Sequence, residues 1–430
     1  MKNRLILVPV YDIISGKGGG RMAKGSNKKS NKKWIKKHHV CVRNILSFVL
    51  TPYIKIKYGM RVEKFRESKK RPYLILLNHQ TPFDQFFIGM SFKGAVYYLA
   101  TEDIFSNGFV SSLIRFLVAP IPIKKQTTDV RAILNCLKVA KEGGTIAIAP
   151  EGNRTYSGRT EYMNPSIVPL ARKLNMPIAL YRIEGGYGAQ PRWSDVVRKG
   201  HMKGYVSRVI EPEEFQGMSD DELFTAISQE LYVNEAVADG QFRHKRLAEH
   251  LERAIYVCPY CGLSSFESRG CIIECKKCHR KIEYLPTKEL CGIGFDFPFR
   301  FVADWYDYQK DFINGLDMSC LGDESIYQDT VRMSEVIVYK NKNTLHKSAK
   351  MSLYRDRIEI SAEGNAHYVF DFDKTSTLTV LGRNKLNIYF GGSIYQIRGE
   401  KKFNALKYLN FFFRYSNIAK EDENAKFLGL

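Results

Sequence analysis

The chain has 430 residues, enough for two or three domains, and a composition of 44% hydrophobic and 26% charged residues excludes global disorder. The formal net charge is +21, but residues 1–72 hold 20 of the 66 basic residues and only 3 of the 45 acidic ones. The rest of the chain is nearly neutral. The positive charge is therefore a local tract suited to an anionic surface, either a membrane or a nucleic acid.

The N-terminal residues 1–37 are predicted to form a disordered basic tail, because their glycine- and lysine-rich sequence cannot build a core. No convincing signal peptide is found there. The nine cysteines are an odd number and include two Cys-x-x-Cys pairs. Reduced, metal-holding cysteines in the cytoplasm therefore fit better than a disulfide framework.

Residues 38–58 are predicted to form an amphipathic helix in which Arg43, Ser47 and Thr51 make one narrow polar stripe. Pro52 is expected to end or kink this helix. The apolar stretch is about 15 residues long, short of the roughly 20 that span a bilayer. We therefore expect the helix to associate with a membrane surface, the alternative being that it packs on the protein's own core.

The next region alternates continuous apolar strands with candidate helices, a pattern typical of an α/β layer architecture. Such strands are buried on both faces. Sites in α/β folds lie at the carboxyl ends of the strands, so the residues that follow each strand are the candidates for chemistry. The clearest strands are 73–77, 95–100, 145–149 and 177–181.

The first of these strands leads into a loop that carries His79, and Asp84 follows on the first turn of the next helix. Thr81 and Pro82 are expected to start that helix, as a capping residue followed by proline. A carboxylate on one imidazole nitrogen leaves the other nitrogen as a general base. The substrate can supply the hydroxyl, so no protein nucleophile is required. Taken alone, the pair also fits a structural histidine.

Two further stretches offer charged groups after strands. Lys124 and Lys125 follow a proline-bounded apolar run, and Glu151, Gly152 and Arg154 lie just past another buried strand. An arginine suits bidentate phosphate binding. In isolation, the first stretch also fits a solvated loop and the second an ordinary polar turn with a surface ion pair.

These stretches, together with Met-Pro-Ile at residues 176–178, resemble in order and separation the motifs of the glycerophospholipid acyltransferase family, which includes 1-acylglycerol-3-phosphate acyltransferases. The resemblance covers about residues 40–215. It implies an α/β domain over residues 59–256, a mixed sheet flanked by helices. It also implies transfer of a fatty acyl group from acyl-CoA or acyl carrier protein to the free hydroxyl of lysophosphatidic acid or a related lysophospholipid.

The resemblance also implies roles for single residues. His79 would take the proton from the acceptor hydroxyl, and Asp84 would orient His79. Glu151 and Arg154 would engage the glycerol phosphate, and Gly152 would let the backbone approach it.

Three positions depart from the family pattern or extend it. Lys125, with Lys124 beside it, lies where the family usually has arginine. A lysine still neutralises phosphate but lacks the fork of a guanidinium. Ala119 stands where many members have glycine, and it is not expected to take part in the chemistry.

Two cysteine knuckles, separated by 13 residues, predict a zinc ribbon over residues 257–291. Four thiolates close a tetrahedral site and leave no open position, so this zinc is expected to be structural. The alternative is a set of free buried thiols. The four predicted metal ligands are Cys258, Cys261, Cys275 and Cys278.

Residues 330–418 read as short strands with turn signals, followed by one aromatic-rich helix. The pattern looks like a pleckstrin-homology-type barrel capped by a helix. The alternative is a β-domain that packs on the enzyme or on a second copy of the chain.

The leading interpretation is an acyltransferase that is peripheral or monotopic on the cytoplasmic face of a membrane. Its expected partners are the phospholipid surface, a lysophospholipid and the acyl donor, with no nucleic acid. A basic zinc-ribbon protein on nucleic acid is one alternative, but about 220 residues separate the basic tract from the ribbon. A catalytically inactive lipid-binding scaffold is another, against which the complete set of site residues argues.

Overall fold

The computed structural model describes residues 33–67, 72–123, 129–338, 340–420 and 426–429. Within these ranges the chain forms a seven-stranded sheet, a small four-stranded sheet beside a two-stranded hairpin, and a second seven-stranded sheet. Most of the predicted basic tail lies outside the described residues, as do the two lysines predicted to bind phosphate.

A mixed sheet organises the N-terminal half of the chain. Its order is β1-β7-β6-β2-β5-β3-β4, and only the pair β6/β7 is antiparallel. The central strand β2 is buried on both faces, which explains its uninterrupted apolar sequence. The prediction of a mixed sheet is confirmed. Along the chain, the strands are β1 (Met60–Val62), β2 (Leu74–Leu77), β3 (Val96–Thr101), β4 (Ile121–Ile123), β5 (Thr145–Ile148), β6 (Ile178–Glu184) and β7 (Met202–Ile210).

Helices cover both faces of this sheet. Apolar residues of α4, α5 and α8 pack on one face, and those of α1 and α2 pack on the other. The predicted layer architecture, with helices on either side, is therefore confirmed. The helices are α1 (Lys37–Tyr58), α2 (Asp84–Ser91), α3 (Gly108–Val118), α4 (Val130–Lys141), α5 (Ile167–Leu174), α6 (Gly186–Ala189), α7 (Pro212–Gln216) and α8 (Asp220–Leu231).

The first helix, α1, continues past the proline that its sequence contains. The sequence predicts that Pro52 ends or kinks the helix, but Pro52 lies inside α1, so the helix does not end there. It stops at Gly59, whose φ of 59° is a conformation that favours glycine. Trp34, placed by the sequence in the tail, donates its indole N–H to the Ala119 carbonyl at 3.0 Å. The segment before α1 is therefore packed on the protein from Trp34 onward.

Helix α1 buries Ile54 and Tyr58 in the core, but much of its apolar surface faces outward. The predicted polar stripe faces the protein, where Arg43 donates to the carbonyl oxygens of Gly89 at 2.6 Å and Phe92 at 2.5 Å. Apolar side chains point outward, and Phe48 is 84% and Ile56 85% exposed. Among the described residues, no helix has the length and apolar character needed to cross a membrane.

The C-terminal half contains a small sheet, β10-β11-β12-β13, beside the hairpin β8-β9, and a wholly antiparallel sheet in the order β17-β16-β15-β14-β20-β19-β18. The larger sheet, a half-barrel with a helix after it, confirms the predicted mainly-β domain. The elements are β8 (Val257–Cys258), β9 (Gly262–Leu263), β10 (Phe266–Arg269), β11 (Ile272–Cys275), β12 (Lys281–Tyr284), β13 (Leu290–Gly292), α9 (Val302–Asn314), β14 (Tyr327–Glu335), β15 (Asn343–Leu353), β16 (Arg357–Ala362), β17 (Ala366–Asp371), β18 (Thr375–Leu381), β19 (Lys385–Phe390), β20 (Ser393–Gly399) and α10 (Ala405–Ala419).

The small sheet and the larger one share a single hydrophobic core. Trp305 of α9 is fully buried in it and donates its indole N–H to the carbonyl of Val257 at 2.8 Å. Tyr256 donates its hydroxyl to Asn410 of α10 at 2.7 Å. The two segments that the sequence separates into a ribbon and a β-domain are therefore packed together.

The C-terminal sheet also packs on the N-terminal domain. Asp103, which follows β3, accepts from Lys342 at 2.5 Å, Lys385 at 3.2 Å and Gln396 at 2.9 Å. Burial favours the neutral form of Asp103, but the charges of Lys385 and Lys342 and the hydrogen bonds outweigh it and lower its pKa to about 2. This packing corresponds to the alternative in which the β-domain docks on the rest of its own chain.

Candidate active site

The loop between β2 and α2 brings His79 and Asp84 together. The His79 Nδ1 and the Asp84 Oδ2 are 2.6 Å apart. The His79 side chain is 32% exposed and that of Asp84 is 3% exposed. The structure therefore places the predicted pair in contact, with the carboxylate inside and the imidazole at the surface of the site.

The carboxylate of Asp84 accepts hydrogen bonds from the loop that precedes it. Its Oδ2 also accepts the Gln80 N–H at 2.9 Å, while its Oδ1 accepts the N–H and the hydroxyl of Thr81, both at 2.8 Å. The helix α2 begins at Asp84, so the prediction that Thr81 caps it is wrong. Thr81 serves instead as a donor to the carboxylate and an acceptor for the Phe83 N–H at 3.1 Å.

This hydrogen-bond pattern sets the proton on the imidazole. A carboxylate with four donors around it is an acceptor only, so Nδ1 of His79 carries the hydrogen in the neutral ring. The lone pair is then on Nε2, the nitrogen that faces away from Asp84. An imidazole in this state can accept a proton from a hydroxyl, and Asp84 stabilises the imidazolium that results.

Glu151 contacts the same loop from the neighbouring strand. Because β5 pairs with β2, the residues after the two strands meet, and the Glu151 Oε1 accepts the His79 backbone N–H at 2.8 Å. Burial raises the pKa of Glu151 to about 8 despite this hydrogen bond, and the charges of Asp84 and Glu161 add to the rise. Burial therefore favours the protonated, uncharged form of Glu151.

Gly152 and Arg154 follow in the same turn. Gly152 is exposed with a φ of 65°, a left-handed conformation that explains a glycine there. The guanidinium Nη1 of Arg154 is buried, and no described residue accepts a hydrogen bond from it. Burial lowers the pKa of Arg154 to about 9, and the charges of Arg192 and Arg383 add to this.

Other residues singled out in the sequence have mixed outcomes. Lys124 and Lys125 fall in the gap between residues 123 and 129, so their predicted role stays a prediction. Ala119 ends α3 with a φ of 41°, in the left-handed region. Glycine adopts that conformation more easily, which gives a backbone reason for the residue type found in the resembling family.

Sequence reasoning missed two residues that shape the site. Asn78 is fully buried and spans two strands, donating to the Ile183 carbonyl at 2.8 Å and accepting the Ile183 N–H at 2.7 Å. Its position directly before His79, at the end of a buried strand, was the available signal. The second is Arg192, which donates to the Arg154 carbonyl at 2.8 Å. It lies in a loop with no motif to mark it.

The four predicted cysteine ligands are gathered in one place, with their sulfur atoms all within 4.8 Å of one another. The Cys258 and Cys278 sulfurs are 3.9 Å apart. Four sulfurs about 2.3 Å from a tetrahedral zinc would be about 3.8 Å apart, so the arrangement fits that metal. All nine cysteines are free of disulfides.

Comparison with known proteins finds similarity to acyltransferases. Residues 59–182 match the model of the acyltransferase family. The 1-acyl-sn-glycerol-3-phosphate acyltransferase of Bacillus subtilis (strain 168) is 21% identical over 136 residues, which is 32% of this chain and 65% of that relative. The crystal structure of the 1-acyl-sn-glycerophosphate (LPA) acyltransferase PlsC from Thermotoga maritima is 20% identical, with 44% of this chain and 77% of that chain covered and a TM-score of 0.38.

The matched region contains His79, Asp84, Glu151 and Arg154, and residues 59–182 therefore constitute an acyltransferase domain. The match ends before the cysteine cluster and the C-terminal sheet, so those parts are interpreted from their own residues.

Proposed function

We propose that this chain transfers a fatty acyl group from an acyl thioester to the free hydroxyl of lysophosphatidic acid or a related lysophospholipid. The observation that supports it best is the 2.6 Å contact between His79 and the buried Asp84. Acyl-CoA and the acylated form of acyl carrier protein are both thioester donors of the required chemistry, and they enter as substrates.

In the proposed reaction, Nε2 of His79 removes the proton from the acceptor hydroxyl as the oxygen attacks the thioester carbonyl. The tetrahedral intermediate then collapses, its carbon–sulfur bond breaks, and the imidazolium returns the proton to the departing thiolate. No serine or cysteine among the described residues is hydrogen-bonded to His79. Direct transfer is therefore favoured over an acyl-enzyme intermediate.

The acceptor's phosphate is assigned to the turn after β5. Arg154 offers a buried guanidinium nitrogen without a partner, and Gly152 leaves the backbone accessible. In its protonated form, which burial favours, Glu151 can donate a hydrogen bond to the glycerol phosphate without adding a negative charge. Lys124 and Lys125 would add positive charge to the same group.

We assign membrane contact to an apolar surface formed by α1 and α3. Through this surface the protein would bind the cytoplasmic face of a membrane as a peripheral or monotopic protein. The two helices are in contact, since the His38 ring stacks on Phe116 with centroids 4.5 Å apart. The exposed fractions reach 84% for Phe48 on α1 and 82% for Phe109 on α3. Apolar groups that face outward from both helices suit the boundary between headgroups and acyl chains, and the basic tract suits anionic lipid.

Replacing Phe48 and Phe109 together by serine tests this surface. Because burial of each ring contributes about 1.5–3 kcal/mol, flotation with phosphatidylglycerol vesicles should weaken by more than tenfold. Ile293→Ser is the matched control, since Ile293 is 48% exposed but lies just after β13 of the small sheet, away from α1 and α3. Unchanged flotation of the double variant would contradict the assignment.

The cysteine cluster is proposed to hold one structural zinc. Its four thiolates would complete the coordination and leave no position for substrate. The small sheet that carries them shares its core with the C-terminal sheet, so the metal would stabilise that half of the molecule.

An acyl-transfer assay with the purified full chain tests the function directly. The assay offers lysophosphatidic acid, lysophosphatidylcholine and lysophosphatidylethanolamine as acceptors, with acyl-CoA and acyl carrier protein as donors. We expect transfer to at least one lysophospholipid. Lipid binding without transfer to any acceptor would point to an inactive scaffold, and a gel shift with mixed nucleic acids would point to the nucleic-acid alternative.

A further inference from the structure

The C-terminal sheet reaches the candidate active site through the turn between β18 and β19. Arg192 is buried and donates from Nε to the Gly382 carbonyl at 2.9 Å and from Nη2 to the Val380 carbonyl at 3.0 Å. Its remaining nitrogen, Nη1, donates to the Arg154 carbonyl at 2.8 Å. One guanidinium therefore ties the turn after β5 to the turn that carries Arg383.

The side chain of Arg383 is only partly satisfied in this position. Its Nη1 donates to Asp195 at 3.1 Å, whereas its Nε is buried and has no acceptor among the described residues. Arg154 is in the same condition, since its Nη1 is buried without an acceptor and no carboxylate in the described ranges pairs with it. Buried donors normally have partners, so each of these two donors indicates a missing acceptor.

The charge balance points to the same conclusion. Arg154, Arg192 and Arg383 lie close enough that the latter two help burial to lower the pKa of Arg154. Asp195, the carboxylate next to Arg383, is shared with Arg253 at 2.8 Å and so does not neutralise the group. Cationic side chains at close range are stabilised by an anion that bridges them.

This cluster lies beside the reacting pair. The negative charge of Asp84 raises the pKa of Arg154 and so offsets part of the lowering that burial causes. Burial raises the pKa of Tyr58 to about 12, and the positive charge of Arg383 acts in the opposite direction. The centroids of the Tyr58 and Phe83 rings are 5.0 Å apart. Phe83 directly precedes Asp84, so Tyr58, on which the charge of Arg383 acts, contacts the loop that carries the reacting pair.

We infer that the C-terminal β-domain completes the acceptor site, and that Arg383 binds the phosphate monoester of the acceptor together with Arg154. The inference rests on the proposed function. A phosphate monoester has three terminal oxygens and carries up to two negative charges, so it can accept from two guanidinium groups at once. A phosphodiester headgroup has only two terminal oxygens and a single charge. Arg383 therefore favours lysophosphatidic acid over zwitterionic lysophospholipids.

The test compares Arg383→Gln and Arg383→Lys with the control Arg332→Gln, which changes an exposed arginine on β14 of the same sheet. The first readout is calorimetric binding of sn-glycerol 3-phosphate to the full chain. Loss of hydrogen bonds to a charged group should weaken binding by about 10-fold to 100-fold in Arg383→Gln. Arg383→Lys keeps the charge opposite Asp195 but lacks the fork, so it should fold normally and bind with intermediate affinity.

The second readout is the KM for short-chain lysophosphatidic acid against that for lysophosphatidylcholine. Arg383→Gln should raise the first by a similar factor, with little change in the second or in kcat. A wild-type enzyme that transfers acyl groups while both Arg383 variants bind and react like the control would overturn the inference and leave the proposed function standing. Binding of glycerol phosphate that depends on Arg383, without any acyl transfer, would overturn the proposed function and leave the phosphate site standing. Absence of both would overturn both.

Discussion

The His79–Asp84 pair and the contacts of Arg192 are both hydrogen-bonded arrangements at the candidate site, but they differ in how far apart along the sequence the partners lie. His79 and Asp84 are 5 positions apart, and the other donors to Asp84 lie between them. Arg192 reaches 38 positions back to Arg154 and 190 positions forward to Gly382. The first arrangement belongs to one strand-to-helix turn, whereas the second exists only once two domains have packed. A short motif can specify the former, and only the complete fold can specify the latter.

The largest expected effect comes from the local arrangement. His79→Ala should lower kcat by about 10²–10⁴, because the acceptor hydroxyl then has no base to receive its proton. Asp84→Asn should also impair turnover, since an amide does not stabilise the imidazolium as a carboxylate does. His346→Ala is the matched control, because His346 is hydrogen-bonded to Tyr368 in the C-terminal sheet. Steady-state acyl transfer measures all three.

Two results would contradict this mechanism. One is near-normal turnover in a well-folded His79→Ala variant. The other is trapping of a covalent acyl-protein intermediate, which would mean that a side chain of this protein, and not the substrate hydroxyl, attacks the thioester.

The cysteine cluster lies between the two extremes, since each Cys-x-x-Cys pair is local but the pairs must be folded together. Metal analysis of the purified chain should find about one zinc. Cys258→Ser should lower both the zinc content and the melting temperature, because a tetrahedral site loses one of its ligands. Cys320→Ser, at an exposed cysteine outside the cluster, should change neither. A zinc-free chain of undiminished stability would exclude the metal.

The smallest effect is expected at the contact between domains. Asp103 has its pKa lowered from 3.8 to about 2 in the folded chain. Its ionised form therefore stabilises the fold above about pH 4, and this stabilisation is lost as the pH falls from about 4 to about 2. The shift corresponds to roughly 2 kcal/mol, which Asp103→Asn should remove at neutral pH.

Denaturant unfolding at pH 7 and at about pH 2.5 would measure the contribution of Asp103, because that contribution is lost between about pH 4 and about pH 2. The stability difference between wild type and Asp103→Asn should shrink as the pH falls. Asp323→Asn provides the control, because its side chain is 88% exposed and its ion pair with Arg355 is at the surface. A difference that is equal at both pH values would mean that the ionisation of Asp103 does not couple the domains.

The sequence allowed the α/β sheet and the acyltransferase motifs to be predicted because both depend on short-range patterns. The buried strand β2 is a continuous apolar run, and His79, Glu151 and Arg154 follow strand ends. The four cysteines could also be predicted as a group, since their spacing is itself the signal.

Other features could not be predicted because a pattern does not say what surrounds it. The periodicity of α1 identified the stripe with Arg43, but it gave no reason to place that stripe against the protein. The carbonyl groups of Gly89 and Phe92, which accept from Arg43, determine its direction. Likewise, residues 382–384 were recognisable only as a turn signal, and the importance of Arg383 depends on where the second sheet packs.

The contacts of Arg192 also have a consequence for the order of events during synthesis. Val380 and Gly382, which supply two of its three acceptors, are translated 188 and 190 residues after it. At about 5–20 residues per second, the ribosome needs roughly 10–40 s to reach them. For that interval the nascent N-terminal domain carries its base and its carboxylate, but the guanidinium of Arg192 has neither acceptor. Strand β18 and the turn after it, which are made well after the N-terminal domain, thus complete the hydrogen bonds of Arg192.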